Sequence, residues 1–342
     1  MVSAVVTGSG QALPATLDQD AAWEGFFARH YEGVRAAKRI FAGAGVRSRH
    51  AVANPIDEDL SGWGTGARMA RYVQEALPLG KQAVAGALDS AGLSPGDVGL
   101  FAVVTCTGYA TPGLDIRLAS DLGMPDGLQR LLVGHMGCYA AIPGLAAIGD
   151  YVTARAKPAV MLCCELTSLH VQPAQRDLEQ VVAHALFSDA AAAVVVEPGA
   201  GRGRRLAGVV ARTDSSTADH MTWDVTDLGF RMGLSPRVPD VLSRHVGGVV
   251  DELLSDAGLR VEDVAGWAVH PGGPRILDVV RDELGLAEEQ MAASRRVLAE
   301  HGNCSSATVL LVLDELADAD GPVVAMAFGP GLTLYAALLL PA

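Results

Sequence analysis

Positive charge is the first thing this sequence is short of. It carries 26 Lys and Arg against 39 Asp and Glu, a net charge of −13, and its isoelectric point is near 5.1. No basic block interrupts that balance. Nucleic acid and anionic membrane surfaces are therefore excluded as main partners. A small anion held by a local basic patch is still compatible with it. Long apolar runs are missing too, and none approaches the roughly 20 residues of a membrane span. The opening segment MVSAVVTGSGQALP has no basic stretch before its short apolar run. It reads as a first strand and turn, and a cytoplasmic protein is expected. Cysteine is sparse: five residues, an odd number, with no CxxC pair and no clustered His/Cys spacing. A disulfide framework is excluded, and neither a zinc site nor any other metal is expected. Low-complexity segments and long linkers are absent as well.

What is present is a large reserve of apolar residues. Half of the 342 residues are hydrophobic and the mean hydropathy is +0.26. The chain can build one large body or two fused halves.

A faint internal repeat favours the halves. ALDSAGLSPGDVGLFAVV (87–104) aligns with LLSDAGLRVEDVAGWAVH (253–270) at an offset of 166 residues. Each copy reads as a helix stopped by glycine, a short loop and a buried strand. At the same offset Gly137-Cys138 falls on Asn303-Cys304, and each pair precedes a helix of small residues. PAVMLCC (158–164) and PVVAMAF (322–328) follow as core strands. Apolar strands alternating with helices imply a buried sheet in each half, covered by helices. The expected division is 1–200 and 201–342, with a cleft where the halves meet.

Three residues stand out for chemistry. Cys138 follows the strand-like LQRLLVGHMG and opens a helix. A thiol at a helix N-terminus ionises more readily and becomes a better nucleophile. The common fate of a lone cysteine is a buried, inert one. His270, in WAVHPGGPRILD, ends a buried strand at a turn that can project it into a cleft. Other histidines, among them His30, His50 and His245, read as surface residues. Asn303, in EHGNCSSATVL, fits a helix N-cap. In the repeat frame it stands opposite Gly137, where an uncharged donor beside His270 can hold an oxyanion or enolate.

The segments around these residues, HMGCYAA, HPGGPRILD and HGNCSSA, together with FGPGLT at 328–333, resemble the type III polyketide synthases. These are the chalcone synthase-like ketosynthases of the thiolase superfamily. The 33-residue step from His270 to Asn303 matches that family. KRIFAGAGVRSRH, ALFSDAAAAVVV and GFRMGLSPRVP extend the likeness over about residues 30–340. The resemblance implies an α/β fold of duplicated αβαβα halves packed as one five-layered body, working as a homodimer. It implies a decarboxylative Claisen condensation of malonyl-CoA onto an acyl group carried by Cys138. The product would then cyclise to a pyrone, resorcinol or phenolic compound. His270 and Asn303 would stabilise the enolate, with CoA thioesters as substrates and no cofactor. It further implies gatekeeper aromatics at Phe187 and Phe230. Cavity positions are Cys106, Thr107, Thr167, His170, Met221 and Ser305, with Tyr139 beside the thiol. Thr111 takes the place of a residue that reaches the partner's cavity. Arg39, assisted by Lys38, would contact CoA phosphates.

The chain departs from the family pattern at Ala327, Leu334 and Tyr139-Ala140-Ala141. A single-condensation enzyme like β-ketoacyl synthase III, fed by an acyl carrier protein, is the neighbouring alternative. Papain-like hydrolases use the same residue types but lack the repeated halves and the HPGGP and FGPGLT segments.

Overall fold

A computed structural model describes residues 2–199 and 201–342. The expected division between halves falls beside Ala200, which lies outside the described residues. The strands are β1 (Ala4–Ala12), β2 (Thr16–Asp18), β3 (Ser48–His50), β4 (Leu100–Thr105), β5 (Gln129–Gly134), β6 (Ala159–Leu166) and β7 (Asp189–Pro198). They continue as β8 (Arg204–Thr213), β9 (Met221–Thr226), β10 (Gly229–Leu234), β11 (Gly266–Val269), β12 (Val323–Gly329) and β13 (Thr333–Pro341). The longer helices are α1 (Ala37–Ala42), α2 (Thr65–Ala91), α3 (Leu114–Leu122), α4 (Ala141–Arg155) and α5 (Leu178–Leu186). After them come α6 (Val238–Ser255), α7 (Pro274–Leu284), α8 (Ala292–His301) and α9 (Thr308–Glu315).

Nine strands form one sheet in the order β11-β12-β13-β8-β1-β7-β6-β4-β5. It mirrors itself about the β1–β8 junction. Moving outward, β1, β7, β6 and β4 match β8, β13, β12 and β11. The directions match as well: β6–β4 and β12–β11 are parallel, and the pairs nearer the junction are antiparallel. β5 has no counterpart. The sequence repeat is therefore a repeat of fold: β4 and β11 are its buried strands, and α4 and α9 its small-residue helices. Within the sheet, β1 meets β8 through Val5 and Val6 against Arg205 and Arg204.

Alternation along the strands then builds the layers. In β6, Val160, Leu162 and Cys164 face a core shared with α2 and α3. Ala159, Met161 and Cys163 face a central core that holds α4 and α9. In β12, Val323, Ala325 and Ala327 face the same centre. Val324, Met326 and Phe328 face a third core with α6 and α7. The result is helices, sheet, helices, sheet, helices: the five layers expected. The runs look uniformly apolar because both faces of each strand are covered.

Close packing of α2 on β1 depends on glycine. A Cβ on Gly10 would overlap the α2 backbone at Ala83 and Ala87. Gly10→Ala is expected to cost about 1–3 kcal/mol, read as a lowered Tm in a thermal melt. An unchanged Tm would show that the helix can back away freely.

No helix of the described residues is long and apolar enough to cross a membrane. All five cysteines are free and buried.

Candidate active site

The junction of the halves carries a cavity of about 500 Å³. Cys138 from one half and His270 and Asn303 from the other all line it, with Phe187, Met221 and Phe328. Apolar side chains of α1, α5, α6 and α7 form its outer walls. Arg39 and Arg275 are the cations on its lining. Lys38 is exposed beside Arg39 and does not line it.

Cys138 reaches the cavity through a tight turn after β5. Gly137 has φ +82° and packs on Pro330, leaving no room for a Cβ. Helix α4 begins at Ala141, so Cys138 sits in the turn ahead of the helix rather than opening it. The expected easing of ionisation is outweighed by burial. Desolvation pushes the thiol up to about 12, against the opposing pull of the Ser305 hydroxyl.

His270 follows β11, its backbone N–H bound to Met326 O at 2.8 Å. The ring is 1% exposed and neither nitrogen has a hydrogen-bond partner. Burial pulls it down to about 3. Burial of each group thus favours the neutral thiol and the neutral imidazole over the thiolate–imidazolium pair. Iodoacetamide should alkylate Cys138 about tenfold faster per pH unit between roughly pH 7 and 9. A rate that stays flat from pH 5 upward would reveal a thiolate–imidazolium pair instead.

Asn303 is fixed by its backbone. Its N–H donates to Leu186 O and its carbonyl accepts from Ser188 N, both at 2.9 Å. The bridge couples it to Phe187 between them. Its side-chain Oδ1 accepts from Ser305 N at 2.9 Å. That leaves the amide NH2 as the group it offers to the cavity.

Inward of Cys138 lies a small recess lined by Cys106, Thr107, Thr167, Ser305, Trp223 and Pro330. Behind it is a second chamber. Phe187 and Met232 line the cavity, the recess and the chamber alike. Phe230 borders only the inner chamber. It stacks on His170 with ring centroids 4.5 Å apart. His170 is locked as a neutral ring: Nε2–H donates to Thr107 O at 2.7 Å and Nδ1 accepts from Phe230 N–H at 3.0 Å. Burial takes it down to about 3, so it does not titrate near neutrality.

One expected wall residue lies elsewhere. Tyr139 turns into the central core and stacks on Tyr335, at 5.5 Å and 8°. The ring packs beside Gly329, where a Cβ would collide with it. Thr111, expected to reach a partner's cavity, is exposed and lines no cavity of its own chain. His50, expected at the surface, is 6% exposed and pairs with His301.

Sequence reading missed Trp223, Met232, Pro330, Arg275 and Glu165. Glu165 had a signal, a carboxylate inside the apolar strand AVMLCCEL. It is buried and accepts from Cys106 N–H at 3.0 Å, Thr107 Oγ1 at 2.8 Å and Ser306 Oγ at 2.5 Å. It thereby holds the floor of the recess, where Cys106 Sγ lies 3.3 Å from Ser305 Oγ. Burial and Glu165 both keep Cys106 a thiol. Among the described residues no group of His, Cys, Asp and Glu side chains is arranged to hold a metal.

Two family models match the chain: the N-terminal domain of chalcone and stilbene synthases over residues 61–201 and their C-terminal domain over 210–341. A 1,3,6,8-tetrahydroxynaphthalene synthase of Streptomyces peucetius subsp. caesius is 39% identical over 316 residues, covering 88% of this chain and 82% of that one. An alpha-pyrone synthesis polyketide synthase-like protein of Mycobacterium tuberculosis is 35% identical over 288 residues, covering 78% and 71%. The crystal structure of 1,3,6,8-tetrahydroxynaphthalene synthase from Streptomyces coelicolor A3(2), a bacterial type III polyketide synthase, superposes with a TM-score of 0.92. Its identity is 29%, and the match covers 98% of this chain and 99% of that one.

Proposed function

The chain belongs to the chalcone and stilbene synthase family and is a type III polyketide synthase, an acyltransferase, and from that premise we propose how its own residues carry the reaction. Cys138 takes an acyl group from a CoA thioester, and His270 accepts the thiol proton and passes it to the departing CoA thiolate. Malonyl-CoA then loses CO₂ in the same cavity. Negative charge builds on its thioester oxygen, where a His270 ring N–H and the Asn303 amide NH2 stabilise the enolate. The enolate carbon attacks the Cys138 thioester. The Cys138–acyl bond breaks, a carbon–carbon bond forms, and the acyl chain is two carbons longer. The extended chain, now a CoA thioester, returns to Cys138 with loss of CoA–SH for another round, and release follows cyclisation to a pyrone, resorcinol or naphthol-type product.

The observation that carries this reading is the convergence of Cys138, His270 and Asn303 on one cavity, with both His270 nitrogens unpartnered. Buried polar atoms are ordinarily paired, so an open imidazole points to a ligand. Arg39 and Arg275, exposed cations on the lining of this cavity, would pair with CoA phosphates. The chemistry calls for no metal and no redox cofactor, CoA thioesters being substrates. Their supply inside the cell supports a cytoplasmic enzyme. Residues 1–200 would act as the half that brings the nucleophile, and 201–342 as the half that brings His270 and Asn303.

A homodimer fits the exposed face around β5. Leu131 and Leu132 on that edge strand are 37% and 45% exposed, with Tyr109 and Ile116 nearby in sequence. An uncovered apolar edge of this kind needs a partner, and Thr111 lies in the same stretch. Sedimentation at micromolar protein should give twice the chain mass.

The test of the activity is mass spectrometry of products formed from malonyl-CoA with a panel of acyl-CoA starters. Extended, cyclised products support the reading. Thioester turnover without CO₂ release from malonyl-CoA overturns it. Extension from acyl carrier protein alone would replace CoA as the starter donor.

A further inference from the structure

We propose that Arg49 is a positioning residue for the condensation: it locks the end of α5 on which Asn303 is hung, and so places the Asn303 amide for the enolate. This rests on the reading of Asn303 as an enolate donor.

The last four carbonyls of a helix have no partner within it. Helix α5 ends at its C-cap Phe187, whose N–H makes the final helical bond, to Ala183 O at 3.0 Å. The carbonyls of His184, Ala185, Leu186 and Phe187 are left over. Arg49 takes three of them. One terminal nitrogen of its guanidinium donates to His184 O at 2.5 Å and Phe187 O at 3.0 Å. The other donates to Ala185 O at 2.7 Å and to Gln19 Oε1. The fourth carbonyl, Leu186 O, accepts from Asn303 N–H at 2.9 Å. Arg49 and the Asn303 backbone thus finish one helix end between them.

The charge has a reason to be there. Arg49 is 5% exposed, and its hydrogen-bond partners are four neutral oxygens. Burial lowers it to about 10, so it is still a cation near neutrality. A buried charge is costly unless compensated, and the negative end of α5 compensates it.

Asn303 has little freedom of its own. Its carbonyl accepts from Ser188 N, and the next residue of β3, His50, donates its N–H to Ser188 Oγ at 2.8 Å. Gly302 has φ +71°, and a Cβ there would lie 2.9 Å from Ser188 Cβ and 3.0 Å from Leu186 O. With Oδ1 tied to Ser305 N, the amide NH2 goes where this backbone goes. Slack at the end of α5 therefore moves Phe187 and Asn303 together. Arg49 does not line the cavity of Cys138, His270 and Asn303, so it acts through Asn303.

The experiment uses full chains: wild type, Arg49→Lys, Arg49→Met, Asn303→Ala and the double variant Arg49→Lys with Asn303→Ala. Gly10→Ala, packed against α2, is the control for lost stability alone. CO₂ release from malonyl-CoA and acylation of Cys138 by intact mass are read separately, with thermal melts beside them. Lysine keeps the charge but cannot fork across three carbonyls. Arg49→Lys should slow decarboxylation about 10–100-fold, the scale of a misplacement of about 1 Å, and leave acylation within about threefold. Arg49→Met should slow decarboxylation further. Gly10→Ala should lower Tm and keep the ratio of the two rates. In the double variant Arg49→Lys should add less than about threefold to the loss from Asn303→Ala, because the amide it places is gone. Equal losses in both half-reactions, an unchanged decarboxylation rate in Arg49→Lys, or a full multiplication of the two losses overturns the proposal. Wild-type decarboxylation by Asn303→Ala would instead remove the reading of Asn303, and this proposal with it.

Discussion

Cys138→Ala is expected to abolish both acyl-enzyme and product, a loss of about 10⁴-fold or more. The size of the effect follows from the surroundings of the other thiols. Cys163, Cys164 and Cys304 are packed in the core and fully buried. Cys106 lies in the recess, but its thiol sits against the Glu165 carboxylate, which opposes a second negative charge. None can take over acyl transfer. The measurement is intact mass after exposure to acyl-CoA, run beside product analysis. Acylation that persists in Cys138→Ala at more than about a hundredth of the wild-type rate would move the nucleophile elsewhere, and Cys106 would be the next thiol to replace.

Removing the Asn303 donor is expected to slow malonyl-CoA decarboxylation about 10²–10³-fold, the usual effect of deleting one oxyanion donor. Asn303→Asp is the sharper variant. Its carboxylate still accepts from Ser305 N, so the local turn is preserved. Its backbone bonds to Leu186 and Ser188 do not depend on the side chain. Only the NH2 is lost, and a negative charge replaces it where the enolate forms. Decarboxylation should collapse while acylation of Cys138 by the starter stays within about tenfold of wild type, because the enolate does not exist in that half-reaction. Equal losses in both steps would mean that Asn303 serves chiefly as a strut for the Phe187 segment.

The two halves of the repeat fared well from sequence alone, for a local reason. A glycine stop, a short capped loop and a buried strand are each specified within a few residues. Ser94 and Asp97 form a reciprocal cap at one copy, and Arg260 with Asp263 occupies the same place at the other. Both copies therefore announced their order of elements before any long-range contact was known. The pairing of Gly137-Cys138 with Asn303-Cys304 went further, because the offset placed Cys138 and Asn303 at nearly equivalent points of two similar folds. Those points meet on one cavity.

The same local logic explains the misses. Tyr139 follows the nucleophile, and sequence adjacency put it in the cavity. In a turn, neighbouring side chains diverge, and Tyr335, nearly two hundred positions away, claims its ring. Trp223 and Met232 face each other across the β9–β10 hairpin. Nothing in that hairpin tells where it will be laid. Only its docking over Cys106 makes an indole a wall of the recess.

The sequence by itself determined the alternation of strands and helices, the duplication and the three residues, Cys138, His270 and Asn303, that line one cavity. These depend on periodicity and on motifs that are short in sequence. The tertiary structure alone decided the ionisation of that centre and the shape of the space around it. Burial set the charge states, overriding the turn's proximity to a helix start. The cavity walls came from β3, the turn that follows β6, α5, the β9–β10 hairpin and the loop at Pro330, segments far apart in sequence that meet only in the folded chain.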